Sequence, residues 1–139
     1  LRRIMMTTWA ANELKTLAQQ GYLVYLPTPY LQQQANRKNQ AWQHKLMNQP
    51  MSFLTQYDLL FRRLTQLLIL QGYDFSNFHP HQTLKKLLLL LEGNLYSNAE
   101  LSHVVECRHN LKYGFMDSPT PQAIKILDEL STRLQPFNA

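Results

Sequence analysis

Apolar side chains recur along this chain at helical spacing, and the breaks between the runs carry turn and capping residues. The clearest run is Phe53, Tyr57, Leu60, Phe61, Leu64, Leu67, Leu68 and Gln71. It follows the i, i+3, i+4, i+7 template of one helix face, with Ser52 placed to open it and Gly72 to close it. Upstream, Thr7 or Thr8 is placed to cap a first helix through Trp9, Leu14 and Leu17, with Gly21 as its stop. Tyr22 to Leu26 is aromatic and β-branched, but no second strand is evident for it to pair with. It therefore reads as an extended connector packed on helices. Thr28 and Pro29 start a second helix whose body, Tyr30 to Met47, is unusually polar. Leu31, Ala35, Trp42 and Leu46 are spaced there to form a narrow apolar seam.

Asp74 to Pro80 reads as a loop. The helix after it runs through Thr83, Leu84 and the leucines Leu87 to Leu91, and leucine on every side predicts the central helix of a bundle. Ser97 and Glu100 match a capping box, which opens a fifth helix stopping at Gly114. Thr120 and Pro121 repeat the threonine–proline start. The last helix is expected to bury Ala123, Ile124, Leu127, Leu130 and Leu134 and to stop at Pro136. The pattern predicts an all-α fold, an antiparallel up-and-down bundle of about five to six helices. A single domain spans residues 1–139, with its core at about 52–134 and amino-terminal helices at about 7–50.

One charge interrupts this pattern. With Arg108 at 0°, a rotation of about 100° per residue puts Leu101 at about 20°, Val105 at about 60°, Val104 at about 320° and Leu111 at about 300°. Arg108 thus points from the middle of the apolar stripe, and Lys112, His109 and Tyr113 fan out along one margin. A charge is rarely buried without a partner, because desolvation costs several kcal/mol. Arg108 therefore needs a carboxylate, a phosphate or a second chain. One reading has it snorkel to Glu106 or Glu92. The other has a guanidinium set to bind a phosphodiester, with His109 or Tyr113 beside it for proton transfer.

Composition narrows the classes. The net charge of +5 comes from fourteen basic residues scattered in ones and twos, which is compatible with nucleic acid but is no dense phosphate-binding tract. A lone cysteine, Cys107, rules out an intramolecular disulfide and any cysteine-based metal spacing. The longest apolar run is far short of the roughly 20 residues that span a bilayer. The opening residues do not read as a signal peptide, so a cytoplasmic protein without membrane contact is expected. Leu1 is not an initiator, so the expectation is that residues precede it or that translation begins at Met5 or Met6. Glycine-rich phosphate loops, nucleophile elbows and paired metal-binding histidines are all missing. His79-Pro80-His81 reads as helix-start capping rather than a metal site, and no metal or other cofactor is expected.

Two blocks, in sequence order, resemble the HEPN superfamily of small prokaryotic helical bundles. Tyr57 to Tyr73, which ends in Gly72-Tyr73 and precedes His79-Pro80-His81, is similar to the family's long helix and its histidine-bearing loop. Arg108-His109-Asn110-Leu111-Lys112-Tyr113-Gly114, with the proline-led helix from Pro121, is similar to its motif helix and last helix. The resemblance covers about residues 52–134 well and 7–50 loosely. It implies a homodimer, with Arg108 near the two-fold axis. It also implies RNA or nucleotide-phosphate binding through Arg108, Lys112 and Asn110, in a toxin–antitoxin or stress-response setting with a small nucleotidyltransferase as antitoxin partner. In nuclease members an arginine and a histidine cleave RNA without a metal, which carries over to Arg108, His109 and Tyr113 as candidate catalytic residues. Tyr113 stands where the motif has histidine, and a phenol of pKa about 10 is a poorer base at neutral pH than an imidazole near 6.5. The alternative is a non-catalytic interaction module in which Arg108 is a dimer-interface residue.

Overall fold

The computed structural model describes residues 8–135. The order of elements is α1 (Ala11–Gln19), β1 (Leu23–Tyr25), α2 (Pro29–Met47), α3 (Phe53–Leu70), β2 (Tyr73–Phe75), α4 (Pro80–Glu92), α5 (Asn98–Lys112) and α6 (Pro121–Arg133). This is the six-helix, essentially all-α bundle that the periodicity predicts. Thr28, Ser52 and Thr120 each accept a backbone N–H in the first turn of their helices, and Ser97 with Glu100 forms the capping box in full. The start of α1 differs from expectation. Its N-cap is Ala10, and Glu13 reaches back to the Ala10 N–H, so Thr8 caps nothing. Thr7, the Met5 and Met6 starts and the Pro136 stop lie outside the described residues.

The centre of the Tyr22 to Leu26 stretch is a strand. Leu23–Tyr25 pairs antiparallel with Tyr73–Phe75, in what the sequence presents as connector and loop. Its partner lies 50 residues away at the central pair, Val24 opposite Asp74, so no local pattern announces it. Gly72, at φ +90°, turns the chain out of α3 into this ribbon, and its carbonyl accepts the Leu26 N–H at 2.7 Å. Ser76 extends the pairing by donating through Oγ to the Gly21 carbonyl at 2.7 Å.

The hub of the bundle is α3, not the leucine-rich α4. Helix α3 packs on α2, α5, α6 and β2, and only its last residue, Leu70, is exposed. In α4 the inner face is Leu84, Leu87 and Leu88, while Leu90 stands in solvent. The seam expected on α2 is also displaced. Leu31 and Trp42 are exposed, and the inward face is Gln32, Ala35, Asn36, Asn39, Gln43 and Leu46. Amide side chains do the joining there: Asn39 Nδ2 and Gln43 Nε2 both donate to the Arg62 carbonyl of α3, at 2.9 and 3.3 Å. On α6 Ala123, Leu127 and Leu130 are buried as expected and so is Leu134 after it, but the buried isoleucine is Ile126, and Ile124 is exposed. Trp9 docks the amino-terminal segment by donating its indole N–H to the Leu87 carbonyl at 3.0 Å. No helix among the described residues is long and apolar enough to cross a membrane.

Candidate functional site

Helices α4 and α5 form an antiparallel hairpin joined by a short turn, and its register decides what Arg108 meets. Lys85 Nζ donates to Ser102 Oγ at 3.1 Å midway along the pair. Residues far from the turn on one helix must therefore face residues far from it on the other. Arg108, one turn before the end of α5, faces His81 at the start of α4, and Glu92 lies at the opposite end. The expected partners of Arg108 are accordingly wrong. Glu92 is held by Arg133, and Glu106 is exposed.

Arg108 is 9% exposed, among Leu101, Val104 and Cys107 on the buried side of α5. Its guanidinium meets three side chains of the same chain. Nη2 lies 3.5 Å from Oδ1 of Asp58, Nη1 lies 3.3 Å from Nε2 of His81, and the guanidinium carbon stands 5.3 Å from the centre of the Tyr57 ring. The monomer therefore supplies partners that the apolar stripe seemed to require from a second chain. It does not saturate them. The Asp58 contact is long for a charge-assisted bond, and Nε of Arg108 is buried with no acceptor.

The histidine is pinned from both sides. Arginine can only donate, so Nε2 of His81 is the acceptor and the ring proton resides on Nδ1. That Nδ1–H donates to Oη of Tyr57 at 2.9 Å. Burial, and then the nearby charges of Arg108, Lys112 and His109, push the imidazole down to about 4, so it is neutral at physiological pH. Burial raises the Tyr57 phenol above its ordinary 10, which keeps it protonated as well. Arg108 thus carries the positive charge among uncharged rings, offset only by a half-exposed Asp58.

Two clefts flank this cluster. One, of about 400 Å³, is lined by His81, Arg108, His109 and Asn110 together with Val105 and Glu106. The other, of about 340 Å³, holds Asp58, Arg62, His81, Arg108 and Lys112, with Trp42 on its wall. In the second, the cations Arg62, Arg108 and Lys112 outnumber the single carboxylate. Arg108 and His81 are common to both. The structure therefore brings Arg108 together with His109 and Asn110 on one side and with Lys112 on the other. Tyr113 is 57% exposed, follows the end of α5 and lines neither cleft; its ring lies against His109 at 4.8 Å.

Sequence reasoning missed His81, Asp58 and Tyr57 as site residues. The helix-start reading of His79-Pro80-His81 fails in detail: His79 is the N-cap residue, at φ +48°, but makes no capping bond, and His81 turns inward. The signal was available in the hairpin register, which places residue 81 opposite residue 108 once the turn at 93–97 is recognised. Among the described residues no group of three or more His, Cys, Asp or Glu side chains is placed to hold a metal ion. No protein-family model, curated protein or solved structure matches the chain.

Proposed function

We propose that this protein binds RNA or a nucleotide through a phosphate held on Arg108. One observation carries the reading: a nearly buried arginine, fixed between two open clefts, whose Nε has no acceptor and whose one carboxylate contact is long. A phosphate oxygen entering either cleft would supply short, charge-assisted acceptors where the fold supplies only partial ones. Lys112 and Arg62 add longer-range attraction on the 340 Å³ side. The cost of ordering the guanidinium is met in folding, so little is left to be met on binding.

The likeness of the Arg108 stretch and of the Tyr57 helix to HEPN proteins supports the same reading. It adds a homodimer and a small nucleotidyltransferase as the partners to look for. Metal-independent cleavage is the further step within this reading. Its base would be the imidazole of His109 on the rim of the 400 Å³ cleft, because Arg108 engages the one acceptor nitrogen of His81 and Tyr113 lies outside both clefts.

The test is binding of a fluorescein-labelled, unstructured RNA 20-mer in EDTA, followed by anisotropy at two salt concentrations and by gel for cleavage. Wild type is expected to bind with a salt-dependent affinity. Arg108→Gln is expected to lose binding while keeping its helical circular dichroism. Equal binding by wild type and R108Q, or none by wild type, sinks the reading. In that case Arg108 is a packing residue, and a dimer that dissociates in R108Q would make the protein an interaction module.

A further inference from the structure

The 340 Å³ cleft does not end at Trp42. Beyond it lies a cavity of about 370 Å³, and Trp42, Phe61, Arg62 and Pro80 line both spaces. Its volume falls within the range of small-ligand sites. The far wall comes from Asp74 of β2 and from Ser76 and Asn77 just after it, and the floor from Asn39 of α2.

Three features of this cavity go beyond what the packing of the bundle uses. The first is Trp42 itself, expected to lie in the α2 seam but 41% exposed. Its indole is held in place by Arg62, whose guanidinium carbon stands 5.3 Å from the ring centre, and by Lys45 at 5.0 Å. Lys45 is exposed and can swing aside at little cost. The second is Asn39, 2% exposed, whose amide N–H binds the Arg62 carbonyl while its Oδ1 has no donor. A buried acceptor left unpaired is costly, so few native structures retain one without a reason. The third is Asp74, a half-buried carboxylate with one oxygen accepting the Phe75 N–H at 2.8 Å. Asn39 and Asp74 both present acceptors, and they do so beside a flat aromatic face.

Arg108 and Lys112 lie on one side of Trp42 and the acceptors Asn39 and Asp74 on the other, with Arg62 lining both spaces and Lys38 the second. A phosphate-binding end joined to an acceptor-bearing end matches the two ends of a nucleotide. We propose that the cavity is a nucleoside subsite. An unpaired ribonucleotide would place its phosphate on Arg108, its base against the Trp42 indole, and a donor-bearing base edge toward Asn39 and Asp74. The proposal rests on the phosphate reading of Arg108. Stacking on an aromatic side chain accepts any base, so the edge decides preference. Guanine offers two adjacent donors, at N1 and the 2-amino group, to an acceptor pair. Uracil offers a single ring N–H between two carbonyls, which would face the acceptors with repulsion.

Calorimetric titration of the full chain with ribose 5-phosphate, UMP, GMP and guanosine separates the two claims. Wild type is expected to bind GMP at least tenfold tighter than ribose 5-phosphate and at least fivefold tighter than UMP. In Trp42→Ala the ratio of GMP to ribose 5-phosphate affinity should fall to about one, and in Trp42→Phe it should stay above three. Asn39, Gln43 and Leu46 still join α2 to α3 in both variants, and circular dichroism checks that they fold. A GMP advantage that survives W42A, or none in wild type, overturns the subsite. If ribose 5-phosphate binds and R108Q abolishes it, the phosphate reading stands through that failure. If GMP and guanosine bind wild type equally and W42A loses both, the phosphate reading fails and the base subsite alone survives.

Discussion

Among the described residues two arginines meet carboxylates, and they do so in opposite ways. Arg133 of α6 reaches Glu92 with two parallel bonds, Nε to Oε1 at 2.9 Å and Nη2 to Oε2 at 3.0 Å. That fork satisfies a carboxylate buried at 7% exposure, while the guanidinium itself lies half in solvent. Arg108 reverses the arrangement. The guanidinium is buried, its carboxylate is half-exposed, and one 3.5 Å contact joins them. The Glu92–Arg133 pair is closed at the carboxylate, where each oxygen takes one nitrogen of the fork, although Arg133 also lines a cleft of about 520 Å³. The Arg108 cluster is open, with a donor unused and clefts on both sides. Burial of a charge does not identify a site, then. Incomplete satisfaction beside an open space is the better indicator.

The comparison breaks most sharply in binding. Arg108→Gln is expected to weaken RNA at least about thirtyfold, equivalent to about 2 kcal/mol, whereas Arg133→Gln should leave it within twofold. Equal losses in the two variants, read by anisotropy, would mean that net charge alone is at work. In stability the order reverses. Removing Arg133 as Arg133→Ala leaves Glu92 buried and unforked, at a cost of about 1.5 kcal/mol; a fully buried pair would cost more. Adding Glu92→Gln to R133A should recover most of that in urea denaturation, because the neutral amide has no charge to desolvate. A double variant no more stable than R133A would mean the fork contributes through shape and not through charge.

The pH dependence of folding isolates the open cluster. Burial and the neighbouring cations hold His81 at about 4 in the folded protein against 6.5 when unfolded. Above about pH 6.5 both states carry a neutral ring and the group adds no slope. Between about 6.5 and about 4 the unfolded chain takes up a proton that the folded chain refuses, so stability falls as pH drops. Below about 4 both states are protonated and the loss is complete. For a partly exposed ring the expected loss from pH 7 to pH 5 is about 1 kcal/mol. His81→Gln should flatten the urea midpoint over that interval. A variant that keeps the full slope would place its origin elsewhere, and a phosphate anion bound at Arg108 should shrink the slope in wild type.

The periodicity of α3 and the caps at Thr28, Ser52, Ser97 and Thr120 were readable because they are local: each is fixed by residues within two turns of one another. What the sequence hid was non-local. The β1–β2 ribbon is too short to show alternation, and its two strands are separated by two helices. Helix α4 was misread because leucine on every side implies burial on every side, yet Leu90 is exposed. The polar inner face of α2 defeats hydrophobic reasoning altogether, since Asn39 and Gln43 join α3 by hydrogen bonds to a carbonyl and not by apolar area. At the site, Arg108 was conspicuous as one charge on an apolar stripe. Its partners were not, because Tyr57 and Asp58 belong to a different helix and His81 sits beside a proline that suggested a cap.

Tyr113 supplies the finest test of where the open cluster ends. In sequence it is the residue five after the motif arginine, and a motif-based account gives it the proton-transfer role. In space it is the C-cap of α5, more than half exposed, with Lys112 and His109 as its neighbours, and it lines neither cleft. Truncating a surface side chain with no buried partner changes stability by less than about 0.5 kcal/mol. Tyr113→Ala is therefore expected to leave the urea midpoint and RNA affinity within twofold of wild type, and to leave any cleavage rate unchanged. His81→Gln, one helix away in contact with Arg108, should change affinity. If the order is inverted, with Y113A the damaging variant and H81Q the silent one, the reacting groups lie on the outer surface of α5. Arg108 would then serve to anchor that helix, in the same closed manner as Arg133 and Glu92.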